Sequence, residues 1–194
     1  MNFIFDIGNV LINFKPLEYL QDLFGDDENL IYKMGTTVFL SPEWNMLDQG
    51  LLTGKEAIDI FCNREQNYKT AIVKTMTNLT KMLTPIPESL ELLPQIKEAG
   101  HKLYFLSNML FDHRDYLLSN FSFWEMFDGG VFSCDILEIK PAPAIYHHLL
   151  DKYQLNAKDC IFFDDREENV VAADELGVKG VLFTDAGCVL PLLE

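Results

Sequence analysis

Several polar residues stand directly behind short apolar runs. Asp6 follows Asn2–Phe5 and precedes Ile7, Gly8 and Asn9. Ser107 and Asn108 follow Lys102–Leu106, and Asp164 and Asp165 follow Cys160–Phe163. Lys140, with Pro141 behind it, comes a few residues after a weaker run, Gly130–Ser133. If the runs are strands of one parallel sheet, these side chains gather at its carboxyl edge, where such sheets bind ligands. The residue types suit phosphoryl transfer to a carboxylate. A carboxylate can attack phosphorus and form an acyl phosphate that water then cleaves. Facing carboxylates want a hard cation, and Mg²⁺ takes one or two of them together with phosphate oxygens. A hydroxyl, nearby backbone N–H groups and an ammonium can hold the remaining oxygens as charge develops.

Taken singly, each residue has an ordinary explanation. An Asp behind a strand often caps a helix. Ser107-Asn108 reads as a turn, and Lys140 as a surface lysine. Asp164-Asp165 fits the acid preference of a helix N-terminus, and Arg166-Glu167-Glu168 reads as the solvated start of that helix. Asp6 is different. It lies between Phe5 and the apolar Val10-Leu11-Ile12, where a charge needs a partner. The joint occurrence of the set favours function. His113 stands close enough behind Ser107-Asn108 to approach such a site, whereas His147 and His148 read as helix-surface residues. Phe121, Phe123, Trp124 and Phe127 read as core packing, and so do Trp44 and Met46, although an aromatic in the cap could line a substrate pocket.

The elements that must position these residues follow from periodicity. The runs Asn2–Phe5, Lys102–Leu106, Gly130–Ser133, Cys160–Phe163 and Lys179–Phe183 have the length and continuity of strands buried on both faces. Helical spacing covers Pro87 to Ala99, Phe111 to Phe121, Ala142 to Tyr153 and Arg166 to Leu176. Pro94 predicts a kink or late start in the first of these. Strands alternating with helices predict an α/β fold, a doubly wound parallel sheet. Pro16 to about Met82 has almost no strand signal. Stripes at Leu17/Leu20/Leu23/Phe24, Ala57/Ile58/Phe61 and Ile72/Val73/Met76/Leu79, and a capping box from Thr53 to Glu56, predict helices there. One crossover needs far fewer residues. The expected architecture is therefore a core of residues 1–14 and 84–194, with a helical cap of residues 15–83 inserted after the first strand and folded over the strand ends.

Composition narrows the partners. Fifteen Lys and Arg against thirty Asp and Glu give a net charge of -15, which repels nucleic acid and anionic lipid. An anionic substrate then needs local positive charge from Lys, Arg or a metal ion. No apolar run approaches the ~20 residues of a membrane helix, and the N-terminus, with Asp6 inside its apolar stretch and no basic region, does not read as a signal peptide. The four cysteines, Cys62, Cys134, Cys160 and Cys188, form no CxxC pair. They read as reduced thiols, most of them buried, which suits the cytoplasm. Oligomeric state is not legible.

The motifs FIFDIGNVL, FLSN, EIKPAPAIY and CIFFDDREENV, in that order, resemble the four motifs of the haloacid dehalogenase superfamily, with its cap after the first strand. The resemblance implies that Asp6 is the nucleophile and a metal ligand, and that Gly8 gives its carbonyl to the metal. It implies that Ser107 and the Asn108 N–H bind the phosphoryl group, with Lys140 pairing nucleophile and phosphate. Asp165 and Asp164 would complete an Mg²⁺ site, with Asn169 in support. The implied substrate is a small phosphorylated metabolite. One departure matters: most phosphatases of the superfamily carry Asp where this chain has Gly8. The D-x-G-N-V form resembles a subgroup that includes glucose-1-phosphate phosphatases, which points to a sugar phosphate. An acidic leaving group, a substitute acid from the cap or solvent, or weak catalysis would each account for Gly8. The alternatives are a metal-independent dehalogenase, a phospho-accepting receiver, whose motif order differs, and a binding protein that kept the scaffold.

Overall fold

A computed structural model describes residues 1–193. Five parallel strands form the sheet: β1 Asn2–Phe5, β4 Lys102–Ser107, β5 Gly129–Phe132, β6 Cys160–Asp164 and β7 Lys179–Leu182, in the order β5-β4-β1-β6-β7. β1 is central, with Asn2 in register with Lys102 on one side and Cys160 on the other. Alternate β1 side chains serve two cores. Phe3 and Phe5 face the larger one, where Phe5 stacks on Phe163 at 4.7 Å between ring centroids. Ile4 faces the smaller one with Tyr104, Phe162, Tyr146 and Leu149. Full burial of each such ring stabilises by roughly 1.5–3 kcal/mol, which holds the central strand rigid beneath Asp6.

The expected core helices are present as α7 Leu92–Glu98, α8 Phe111–Asn120, α10 Pro143–Tyr153 and α11 Glu167–Glu175. The Pro87–Ala99 pattern is split, because a short α6 Pro87–Leu90 precedes α7 and the break falls at Glu91. Pro94 has no N–H to donate to the carbonyl of Leu90, so the ladder fails there. A short α9, Ser133–Ile136, follows β5 and went unread in the sequence.

Between β1 and β4 the chain forms a helical insertion: α1 Pro16–Phe24, α2 Glu28–Met34, a π-helical stretch Gly35–Phe39, α3 Pro42–Asp48, α4 Gly54–Arg64 and α5 Lys69–Met76. The capping box is formed, with Glu56 N–H donating to Thr53 Oγ1 and Thr53 N–H to Glu56 Oε2. Two short antiparallel strands, β2 Ile12–Asn13 and β3 Thr84–Pro85, make the neck through which the chain leaves and re-enters the sheet. At two residues each they are too short for periodicity to reveal. Three stripe residues are corrected. Leu17 and Val73 point outward, and Leu79 lies in a 3₁₀ turn beyond the end of α5. Met46, read as core, is also exposed. Two cysteines are buried and two half-buried, all unpaired.

Candidate active site

The loop after β1 is shaped by the Ile7 carbonyl, which accepts from the N–H groups of Leu11 and Ile12 at 2.9 Å each. Asn9 occupies the left-handed region at φ 54°, which Asn tolerates better than most residues. Its side chain ties two loops together. Asn9 Oδ1 accepts from Phe14 N–H at 2.9 Å, and Nδ2 donates to Asp165 Oδ2 at 3.1 Å. The sequence reading gave Asn9 no role, although an Asn in a tight loop beside a candidate acid is a usable signal.

Asp6 stands at the end of β1 and is 8% exposed. Lys140 Nζ lies 2.9 Å from Asp6 Oδ1 and 2.6 Å from Asp164 Oδ2. Lys140 is itself buried, so the ammonium is shared by two carboxylates with little water to screen it. Asn108 holds the lysine's backbone at both ends: Lys140 N–H donates to Asn108 Oδ1 at 2.7 Å, and Asn108 Nδ2 donates to the Lys140 carbonyl at 2.9 Å. Asp164 is fully buried. Its Oδ1 accepts from Arg166 N–H and from Asn169 Nδ2, both at 2.9 Å, and its Oδ2 from Lys140. Asn169, a supporting residue in the sequence reading, braces Asp164 here.

Oxygens of Asp6, Asp164 and Asp165 lie within 4.8 Å of one another. Three carboxylates against one ammonium leave the cluster net negative. Asp6 Oδ1 is buried and accepts no aligned hydrogen bond. A hard, all-oxygen donor set carrying more negative charge than Lys140 balances fits Mg²⁺. Burial pushes the Asp6 carboxyl up to about 6, Lys140 opposes that shift, and Asp164 adds to it. Burial likewise raises Asp165, against the Asn9 hydrogen bond. The ion pairs and hydrogen bonds to Asp6 and Asp164 hold Lys140 above its ordinary value, against its own desolvation.

Ser107, at the end of β4, is buried, and its Oγ has no hydrogen-bond partner. A buried hydroxyl without a partner is costly and is available to a ligand oxygen. The cluster opens into a cavity of about 520 Å³ lined by core and insertion together, including Asp6, Gly8, Asn108, Lys140 and Asp165. Phe14, Phe39 and Trp44 form an aromatic wall, with the Phe39 and Trp44 centroids 4.8 Å apart. Trp44, for which the sequence favours core packing over a place in a pocket wall, is buried and lines this cavity as well. His113 also borders it. Its Nε2 is buried without a partner, and desolvation lowers its pKa to about 4, so the ring is neutral. Arg166, read as the solvated start of a helix, borders the cavity too, as does Asp48 from α3. His147 and His148 are exposed, as expected.

The family model for haloacid dehalogenase-like hydrolases matches residues 26–183. The sesquiterpene phosphatase astK of Aspergillus oryzae is 27% identical over 183 residues, spanning 94% of this chain and 89% of that protein. The family enzyme bt-2542 of Bacteroides thetaiotaomicron, solved as a magnesium complex, superposes with a TM-score of 0.72 at 23% identity, over 96% of this chain and 93% of that one. The same enzyme with magnesium and inorganic phosphate gives 0.71 at 23% identity, over 95% and 94%. The L-2-haloacid dehalogenase of Xanthobacter autotrophicus gives 0.65 at 16% identity, over 91% and 74%. The family match spans the insertion from α2 onward and four of the five parallel strands. This chain belongs to the haloacid dehalogenase-like hydrolases.

Proposed function

We propose that the protein is an Mg²⁺-dependent phosphomonoester hydrolase working through an aspartyl-phosphate on Asp6. What carries the reading is the Lys140 ammonium, held 2.9 Å from Asp6 and 2.6 Å from Asp164, with Asp165 in ligand reach. In this reading Asp6, the Gly8 carbonyl and Asp165 would hold the metal, with Asp164 joining them directly or through water. When bound, Mg²⁺ would neutralise phosphate charge at the acidic edge. Ser107 Oγ and the Asn108 N–H take equatorial oxygens of the phosphoryl group. Lys140 keeps Asp6 ionised despite its burial and attracts the anionic substrate. Asp6 attacks phosphorus, the alcohol departs, and water cleaves the acyl phosphate. Relatives support the chemistry: one is named a phosphatase and another was solved with magnesium and inorganic phosphate.

The substrate is a small molecule in this reading: with residues 15–83 taken as a cap on a core of 1–14 and 84–194, the two together line a cavity of about 520 Å³. The sugar 1-phosphate implied by the D-x-G-N-V motif fits an aromatic wall on which a sugar ring can stack. A second reading rests on the same wall. Phe14, Phe39 and Trp44, joined by Met109 and Ile139, would equally take the apolar chain of an alkyl phosphate, and the phosphatase relative is named for a sesquiterpene. A metal-independent dehalogenase is disfavoured, since three carboxylates beside one lysine repel one another without a cation.

The test is phosphate release from sugar 1-phosphates, sugar 6-phosphates, prenyl and aryl phosphates, with Mg²⁺ or with EDTA, and with Asp6→Asn as blank. Metal-dependent release that is lost in Asp6→Asn supports the reading. Metal-independent halide release, or no turnover of the aryl ester, refutes it.

A further inference from the structure

We propose that Asp48, carried by the insertion, is the proton donor and acceptor that Gly8 does not provide. The inference rests on the phosphatase reading above and names a further catalytic residue within it. Asp48 is the last residue of α3 and borders the cavity together with Asp6, Gly8, Lys140 and Arg166. The segment holding it is fixed to the core. The Asp48 carbonyl accepts from Ser133 Oγ, and Ser133 Oγ in turn accepts from Met109 N–H at 2.8 Å. Met109 is two residues past Ser107, so this chain of bonds ends in the loop that presents the candidate phosphate-binding hydroxyl. Next along the chain, Gln49 Nε2 donates to the Leu137 carbonyl at 2.7 Å. Gly50, at φ 75°, packs so closely on Cys134 that an added Cβ would come within 2.5 Å of its carbonyl oxygen. Three successive residues of the insertion are thus anchored to the β4–α8 loop and α9, and they fix the origin of the Asp48 side chain relative to Asp6.

The surroundings suit the role. Burial pushes the Asp48 carboxyl up to about 7, the Asp6 charge adds to this, and Arg166, Trp44 and Lys140 oppose it. A carboxyl poised near neutrality is efficient in both directions of proton transfer. Position 8 is vacant by residue type and not by crowding, since a Cβ on Gly8 would have nothing nearer than Phe14 Cβ at 4.0 Å.

An Asp6 oxygen forms a bond to phosphorus while the bond from phosphorus to the leaving oxygen breaks. That oxygen keeps the electron pair and takes the Asp48 proton, releasing an alcohol. The Asp48 carboxylate then takes a proton from water as the water oxygen bonds to phosphorus, freeing Asp6 and inorganic phosphate.

Leaving-group dependence tests this. An aryl phosphate departs with little protonation, whereas an alkyl phosphate needs it. The expected result for Asp48→Asn is a loss in kcat of about 10²–10⁴-fold on an alkyl phosphate, at least about 100-fold larger than its loss on an aryl phosphate. The double variant Asp48→Asn/Gly8→Asp should recover part of the alkyl rate, because position 8 has room for the new acid. Equal losses on both esters, or a change in KM alone, would overturn the assignment while leaving the phosphatase reading intact. Wild-type protein inactive on both esters would sink the phosphatase reading, and this inference with it. Thermal melting of each variant separates an unfolded protein from an impaired one.

Discussion

Asn9 donates to Asp165 across the gap between the loops that follow β1 and β6, at 3.1 Å. One Asn thereby meets the unusual backbone demand of the first loop and aims a candidate metal ligand carried by the second. Asn9→Gly keeps the left-handed conformation but removes the tether. We expect it to cost about 1 kcal/mol of stability and to weaken Mg²⁺ binding about tenfold. Calorimetric titration of Mg²⁺ checks this, and unaltered affinity would show that Asp165 holds its orientation alone.

The two adjacent acids, Asp164 and Asp165, should separate on mutation. Asp164 accepts from Lys140, Arg166 and Asn169 in full burial. Asp164→Asn leaves Lys140 with Asp6 as its one carboxylate partner and weakens three buried hydrogen bonds at once, and should destabilise by about 3 kcal/mol. Asp165, with one hydrogen bond from Asn9, should lose Mg²⁺ affinity on change to Asn with little shift in melting temperature. Denaturant unfolding beside Mg²⁺ titration distinguishes them, and the reverse pattern would exchange their roles.

Lys140→Met would remove the cation between two buried carboxylates. We expect turnover to fall by about 10²–10³-fold and the Asp6 carboxyl, already raised to about 6, to rise further. A variant with near-normal kcat would show that the metal alone balances the cluster.

His113 gives a pH signature. Its folded pKa of about 4 lies below the ordinary 6.5 because burial disfavours the imidazolium. The unfolded chain therefore binds this proton first. The His113 contribution to stability falls as pH drops from about 6.5 toward 4 and levels off below, by up to about 3 kcal/mol. The raised Asp6 and Asp48 carboxyls act in the opposite sense over the same range, so the signature is the difference between wild type and a His113 variant. His113→Gln should flatten that limb in urea unfolding measured across this range. A wild-type slope in the variant would place the titration on other groups.

The strands and the edge residues were legible because a buried parallel strand writes a continuous apolar run, and the polar residue behind it marks the edge. Asp6, Ser107, Lys140 and Asp164 were all found in this way. Asp48 was not, because it ends an ordinary amphipathic helix and reaches the cavity only through the docking of α3 on α9. For Trp44 the sequence favours burial over a place in the cavity wall and the structure gives both, since helical spacing reports that a side chain is covered and not what covers it. The aromatic cluster of Phe14, Phe39 and Trp44 joins three separate segments, and no local pattern encodes such a meeting.

The central place of β1 bears on how the chain is made. Asn2–Phe5 is the first strand to be synthesised, yet its partners begin at residues 102 and 160. On a ribosome, two phenylalanines and an isoleucine must wait for about a hundred further residues before the first neighbour exists. During that time the helices of the insertion, whose contacts are local, are free to form first. Closing so long a loop slows assembly, and an unpaired apolar strand is a hazard for aggregation until β4 and β6 arrive. The device that places Asp6 at the centre of the sheet thus leaves β1 uncovered on one side until β4 emerges and on the other until β6 does, which makes it an early target for a chaperone's shielding.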